Sequence, residues 1–320
     1  MFALIYTFGD QFQPAMNAAA PFFSIILPTY NRANLIEKAI KSVLEQAFVD
    51  WELLIIDDGS TDNTQEVVEQ FEDSRIHYLR QDHGERSRAR NLGVQRAEGR
   101  YVCFLDDDDY LLPHFLQGFH HYFQNGNSED LILRTGFCRA LEGQLLPATN
   151  YDEKQHRHPV RFAAFHMCSA SSLCIPRKIM LQYSFPEHIH FWEDSYLILR
   201  LLAQHPMVQL PSHHYVYVIH QNMSSRQFYQ SPELAVHVEE NVQTIADFFE
   251  QHGKVVQPFL PSWTQRYLMA DKYLDHAIAS LPHTSRVRSF QFVKKSLRLM
   301  YLHPHLLRKQ LSWLYRAFLQ

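Results

Sequence analysis

The chain has 320 residues, 46% hydrophobic and 20% charged, with a formal net charge of −4. Those values describe an ordinary globular protein of one large domain or two modest ones, and they argue against a general nucleic-acid binder. No uninterrupted apolar segment has the length of a membrane span.

The start, Met1 to Ala20, carries Asp10 and several Gln with no basic lead, so it is a poor signal peptide and reads as an extension, residues 1–21. Phe23 to Leu27 is a β-rich run stopped by Pro28, and Thr29-Tyr30-Asn31-Arg32 follows as a polar loop. A helix is predicted from near Asn34, capped by Glu37, with Leu35, Ile36, Ala39, Ile40, Val43 and Leu44 on one face. Leu53 to Ile56 is a second strand that empties into Asp57-Asp58-Gly59-Ser60. A second helix is predicted from near Asn63 with Glu66 as its cap, then a third strand at Ile76 to Leu79. Arg86 to Ala97 reads as a helix closed by Gly99 at its C′ position. Tyr101 to Leu105 is a fourth strand, broken abruptly by Asp106-Asp107-Asp108-Asp109, and Pro113 opens a helix holding Phe115, Leu116, Phe119 and Phe123.

Beyond Gln124 the pattern loosens. Leu131–Leu133, Phe137-Cys138, Ser169–Ile175, Val208–Leu210 and Tyr215–Ile219 are predicted as separate strands, and Glu193-Asp194 opens a helix. From about Pro232 the reading is helical, with breaks at Gly253, Pro258, Pro261, Pro282 and Pro304. The cysteines, Cys103, Cys138, Cys168 and Cys174, form no Cys-x-x-Cys pair, which suits buried thiols in a reducing cytosol. The 20 histidines lack the helical i,i+4 spacing of a two-histidine zinc site.

Strands alternating with helices over the first part give a parallel sheet covered on both faces. The polar loops after Leu27, Ile56 and Leu105 then share one sheet edge, where open α/β sheets bind ligands. Four carboxylates in a row repel one another, and a hard divalent cation relieves that repulsion. A solvated acidic turn is the plain alternative for the run alone. Two acid clusters at one edge are harder to explain as packing.

Taken in order, Phe23 to Arg32, Leu54 to Asp62, Ala89-Arg90-Asn91-Leu92-Gly93, Ala97 to Tyr101 and Leu105 to Asp109 resemble the motifs of family 2 glycosyltransferases. The resemblance is strong over residues 22–125 and weaker to Ser225. It implies an α/β GT-A fold, with a Rossmann-like, mostly parallel mixed sheet flanked by helices. The expected organisation is a catalytic domain over 22–225, its nucleotide half 22–125 and its acceptor half 126–225, then a helical region over 226–320.

The implied activity is inverting transfer of a sugar from a nucleotide-diphosphate donor, with UDP favoured, to a hydroxyl of a glycan or lipid-linked saccharide in cell-surface polysaccharide synthesis. Pro28, Thr29, Tyr30, Arg32, Asp57, Asp58, Arg88, Asp106 and Asp107 fall at nucleotide-contact positions. Arg88 is flanked by Arg86 and Arg90, and each of the three also reads as part of a solvated helix face. Asp106 and Asp108 form the family's Asp-x-Asp, with Asp108 the direct ligand of Mn²⁺ or Mg²⁺; a slip of register onto Asp107 and Asp109 stays open. Asp194 matches the base, with Glu193 orienting it; the plain alternative is a carboxylate at a helix N-terminus. His220 and Ser224 resemble a further element that contacts diphosphate or metal. Trp192 suits a sugar-ring stack or the core equally.

A sugar nucleotidyltransferase would need a Gly-rich phosphate loop after the first strand, which is missing. A non-catalytic sugar-nucleotide or glycan module would have no use for Asp194. The tail from Ser285 mixes basic and apolar residues, which fits either peripheral contact with the inner face of a membrane or a helical cap on the catalytic domain of a cytoplasmic protein.

Overall fold

The computed structural model describes residues 4–6, 20–146, 158–165, 169–189, 192–220, 234–280, 286–300 and 303–319. The chain divides into two compact units, residues 1–159 with 167–219, and residues 160–166 with 220–320.

The first unit is built on a ten-stranded mixed sheet. Its strands are β1 (Leu4–Tyr6), β2 (Phe23–Thr29), β3 (Trp51–Asp57), β4 (Ile76–Arg80), β5 (Tyr101–Phe104), β6 (Tyr110–Leu111), β7 (Ile132–Leu141), β8 (Gln144–Leu146), β9 (Leu173–Pro176) and β10 (Met207–Ile219). They lie in the order β1-β4-β3-β2-β5-β9-β7-β10-β6, with β8 beside β7. The first five are mutually parallel. β9 then runs antiparallel to both β5 and β7, β7 is parallel to β10, and β6 is antiparallel to β10. Leu4–Tyr6, read from sequence as part of an extension, is the edge strand of this sheet.

Every residue of β2, β3 and β5 is buried, as a sheet covered on both faces requires. Helices α1 (Ile36–Leu44), α2 (Thr64–Val68), α3 (Glu85–Arg96), α4 (Phe115–Gln124), α6 (Arg177–Met180) and α7 (Glu193–Leu202) belong to this unit. Gly93 lets α3 lie flat on β2, since a Cβ there would sit 2.4 Å from Ile26 Cγ2. The buried carboxylate of Glu52 holds the junction between α3 and β5. It accepts bonds from Ser24 Oγ at 2.5 Å, Glu98 N at 2.7 Å and Gly99 N at 3.1 Å.

Three local expectations are corrected. Gly99 does not close α3 in a left-handed conformation; it is glycine because a Cβ would meet Ser24 Oγ at 2.5 Å and Ser24 N at 2.6 Å. Neither Glu37 nor Glu66 caps its helix. Glu37 pairs with Lys41 one turn on, and Asp62 takes the capping role at α2 by accepting from Thr64 N at 3.1 Å. The short strands predicted at 131–133 and 137–138 are one strand, β7, and those at 208–210 and 215–219 are one strand, β10. β10 absorbs Pro211 through register shifts between Gln209 and Tyr215, a bulge that lets pairing continue past a residue without an N–H.

The second unit holds α8 (Leu234–Val256), α9 (Thr264–Ser280), α10 (Arg286–Leu299) and α11 (Pro304–Leu319), together with most of α5 (Pro159–Phe165). Gly253 does not break α8, which continues to Val256. No helix among the described residues is long and apolar enough to cross a membrane.

Candidate active site

The loops leaving β2 and β3 are laced together. Asp58 N donates to Thr29 O at 2.9 Å, Asn31 N to Ser60 Oγ at 2.9 Å, and Thr61 N to Asn31 Oδ1 at 2.7 Å. Asn31 adopts a left-handed φ of 52°, which Asn tolerates better than most residues. Asp57 is buried and fully used by the fold, accepting from Ser60 N at 2.7 Å and from the Tyr78 hydroxyl. Asp58, 3% exposed, accepts from Gln81 Nε2 at 2.5 Å and Gly84 N at 2.9 Å, and lies 2.8 Å from His83 Nδ1. His83 stacks on Tyr30 with centroids 4.2 Å apart and planes at 23°. Tyr30 is 41% exposed, so a flat aromatic pair stands in solvent beside the buried carboxylate. Gly59, φ 84°, makes room, because a Cβ there would lie 3.0 Å from His83 N. The Arg88 side chain folds over Gly84 at the start of α3.

The four acids after β5 have different fates. Asp109 turns inward, accepting from the Tyr215 hydroxyl and from Val218 N at 2.7 Å, which ties the loop to β10. Burial, then the charges of Asp106 and Asp108, push its carboxyl well up. Asp107 is raised to about 7 by burial and by Asp108, against the lowering effect of Thr29 and Arg32. Tyr217 on β10 is pushed up to about 12 by burial and then by Asp109, Asp108 and Asp106. Asp106 leaves the loop toward α3. Burial opposes its charge, but Arg90, Arg86 and Ser171 hold it below the usual range.

Arg90 is the hub. It is 2% exposed, on the inward face of α3. Its guanidinium reaches Asp106 Oδ1 at 2.6 Å, Asp194 Oδ1 at 3.1 Å and Glu193 Oε1 at 3.4 Å. Burial alone would lower it, but Asp194, Asp106 and Glu193 more than reverse that and fix its charge. Asp106 also accepts from Ser171 Oγ at 3.2 Å, and Asp194 Oδ2 accepts from Ala170 N at 3.1 Å. Asp194 is nonetheless raised to about 6, chiefly by burial, with Arg90 opposing and Glu193 and Asp106 adding. Trp192, immediately before α7, holds φ 76°. A bulky residue in that region is strained, and such strain concentrates at functional sites.

The structure thus brings Asp106, Glu193 and Asp194 onto one cation, and sets Asp107 against Thr29 and Arg32. Asp57, Asp58, Tyr30 and Arg88 gather around the β3 loop. His220 opens the second unit, and Ser224 lies outside the described residues. Sequence reasoning singled out neither Arg90 nor His83. The signal for Arg90 was its phase, since Ala89, Gly93 and Val94 put position 90 on the face α3 buries.

No cluster of three or more His, Cys, Asp or Glu among the described residues forms a ready-made metal cage. One or two carboxylates plus substrate phosphate oxygens are the usual setting for Mg²⁺. The loop offers carboxylates of that kind in Asp106 and Asp108, whereas burial pushes Asp107 and Asp109 toward their neutral forms.

Residues 24–181 match the family model Glycosyl transferase family 2. The UDP-Glc:alpha-D-GlcNAc-diphosphoundecaprenol beta-1,3-glucosyltransferase WfgD of Escherichia coli is 43% identical over 95 residues, 29% of this chain and 38% of that protein. The GalNAc(5)-diNAcBac-PP-undecaprenol beta-1,3-glucosyltransferase of Campylobacter jejuni is 43% identical over 117 residues, 33% of this chain and 38% of that protein. The chain therefore spans less than two-fifths of the length of these relatives. S. aureus TarS 1-349, solved in complex with UDP-GlcNAc, has a similar fold, with a TM-score of 0.55 and 20% identity over 92% of this chain and 89% of that one. The mixed sheet flanked by helices, with helices after it, is the fold expected from sequence.

Proposed function

Since residues 24–181 form a family 2 glycosyl transferase segment, we propose that the protein transfers a sugar, with inversion, from a UDP-sugar to a hydroxyl of a glycan or lipid-linked saccharide. The observation that carries this reading is Arg90, which joins the acid loop of one half of the sheet to the carboxylate pair at the start of α7. The lipid-linked acceptor comes from the printed activities of the two glucosyltransferase relatives, and UDP from those activities and the TarS complex. Such an acceptor would bring the enzyme to the inner face of a membrane, with the C-terminal helices as the point of contact.

In this reading His83 moves aside, the uracil takes its place on the Tyr30 ring, and the imide hydrogen is directed at the Asp58 oxygen so freed. Asp57 holds the loop rather than the ligand. Thr29, Arg32 and Arg88 flank the nucleotide, and Asp107 stays with Thr29. Asp108, with Asp106 beside it, would hold Mn²⁺ or Mg²⁺. When bound, the cation offsets charge on the diphosphate leaving group. Asp194 accepts the proton of the acceptor hydroxyl as that oxygen attacks the anomeric carbon, and the bond to the diphosphate breaks in the same step. Glu193 and Arg90 fix the orientation of Asp194. Trp192 stands next to the base, where its indole face can pack on the acceptor ring.

Turnover of UDP-sugar with Mn²⁺, monitored as UDP release with a polyprenyl-diphosphate saccharide, tests the reading. Turnover is expected with wild type and at background with Asp108→Ala or with chelator. Sugar-nucleotide binding without turnover across a broad acceptor panel would leave a binding module instead. Because Asp194 must be ionised to take a proton and its folded value is raised to about 6, kcat is expected to fall about tenfold for each unit of pH below roughly 6 and to level off above about 7. A pH profile flat down to about 4 would remove Asp194 from the role.

A further inference from the structure

We infer that α10 and α11 present a docking surface for an anionic phospholipid bilayer. This deepens the acceptor reading above, though it is read out without any turnover. Residues 286–320 contain eight Lys or Arg and no Asp or Glu, while the other 285 residues carry the remaining 22 Lys and Arg against all 34 Asp and Glu. The one strongly positive segment of an acidic chain is therefore confined to these two helices.

Their exposed faces are not simply polar. α11 buries Leu306, Gln310, Trp313 and Ala317, a clean i, i+4, i+7, i+11 row. Beside that row it leaves Leu307, Leu311, Leu314 and Tyr315 at 44%, 57%, 41% and 68% exposure. Scattered exposed apolar residues need no explanation, but four large ones along one helix do. Arg308 is exposed next to Tyr315 at the edge of this row, and Arg316 is exposed on the opposite flank of α11. On α10, Val287 is 74% exposed and Phe290 38%, along a face that also shows Arg286, Lys294 and Arg298.

The two helices are joined rigidly. Trp313 Nε1 donates to Ser289 Oγ at 2.7 Å, and the Phe290 ring stacks on Trp313 with centroids 5.5 Å apart.

An apolar row edged by guanidinium and ammonium groups matches acyl chains below a layer of phosphates. A nucleic acid would use the charges but leave the leucines in water. A second copy packed through the same face would oppose one all-basic surface to another, which repels.

Flotation of the intact chain with vesicles, in the absence of donor and acceptor, is the test. Wild type is expected to float with phosphatidylcholine vesicles containing phosphatidylglycerol, to release them as salt rises, and to ignore pure phosphatidylcholine. Leu311→Glu with Tyr315→Glu is expected to cut binding by about tenfold or more while thermal stability and UDP-sugar hydrolysis hold, since both side chains face solvent. Arg308→Gln with Arg316→Gln, which leaves the apolar row intact, should weaken binding and flatten its salt dependence even if the first pair perturbs the fold. Equal flotation of wild type and both variants would overturn the proposal, as would wild type failing to float on anionic vesicles. Wild type running as a dimer that Leu311→Glu dissociates would overturn it in favour of a self-contact. Loss of turnover with vesicle binding retained would strike the transferase reading alone.

Discussion

Asp194→Asn is expected to lower kcat by about 10³-fold while leaving UDP-sugar affinity within a factor of about three. Asparagine matches aspartate in size, and its carbonyl oxygen can accept from Arg90 or from the amide of Ala170, leaving the other donor without its acceptor. What it cannot do is take a proton. Glu193, 6% exposed and turned toward Arg86 and Arg90, is poorly placed to substitute. Single-turnover rates with a saturating acceptor, alongside calorimetric UDP binding, give the answer. A kcat within about tenfold of wild type would end the assignment of Asp194 as base.

The second large effect is expected at Arg90. Arg90→Ala leaves Asp106, Glu193 and Asp194 facing one another without the cation that joins them, and stranding buried charge costs about 3–5 kcal/mol. The sign with pH follows from the Asp194 value near 6, already above the ordinary carboxylate range. Without Arg90 that value rises further, so the ionised form works against folding. The deficit should be largest above pH about 7 and shrink toward pH about 4, where the carboxylates accept protons. Denaturant titrations at the two ends of that range check it. A deficit that is the same at both would mean that Arg90 acts through packing alone. Arg90→Lys keeps a positive charge but not a planar fork able to serve several carboxylates at once. It is expected to fold yet lose at least about 10²-fold in kcat, and the acidic limb of its pH profile should move up.

The parts of this molecule legible in its sequence are those where one physical requirement dominates. Phe23 to Leu27, Leu53 to Ile56 and Tyr101 to Leu105 read as strands because a doubly covered sheet needs unbroken apolar runs. The acid-rich ends of the second and third read as the ligand edge because charge cannot continue into such a strand. Where several groups compete for one role, sequence was a weaker guide. Glu66 was suitably spaced to cap α2, yet Asp62 reaches the amides first because it also bonds Ala33 N across the loop at 3.1 Å. Gly99 looked like a helix terminator, and its reason is instead a contact with Ser24, 75 residues earlier. Arg90 was hidden between two other arginines, and only the partners brought from distant parts of the chain distinguish it. His83 was one histidine among 20, and its meaning comes from Tyr30 and Asp58 folding against it.

The Arg90 cluster also has a timetable. Asp106 lies 16 residues after Arg90, but Asp194 lies 104 residues after it. At ordinary ribosomal speeds of about 5–20 residues per second, roughly 5–20 s pass between the synthesis of the guanidinium and that of its last partner. A nascent chain can lay down the first parallel strands in that interval, but it must keep a water-seeking side chain on the surface α3 will bury. The Arg90 seam therefore cannot close before α7 is made, and a ribosome that stalls earlier leaves the guanidinium with Asp106 alone of its three carboxylates.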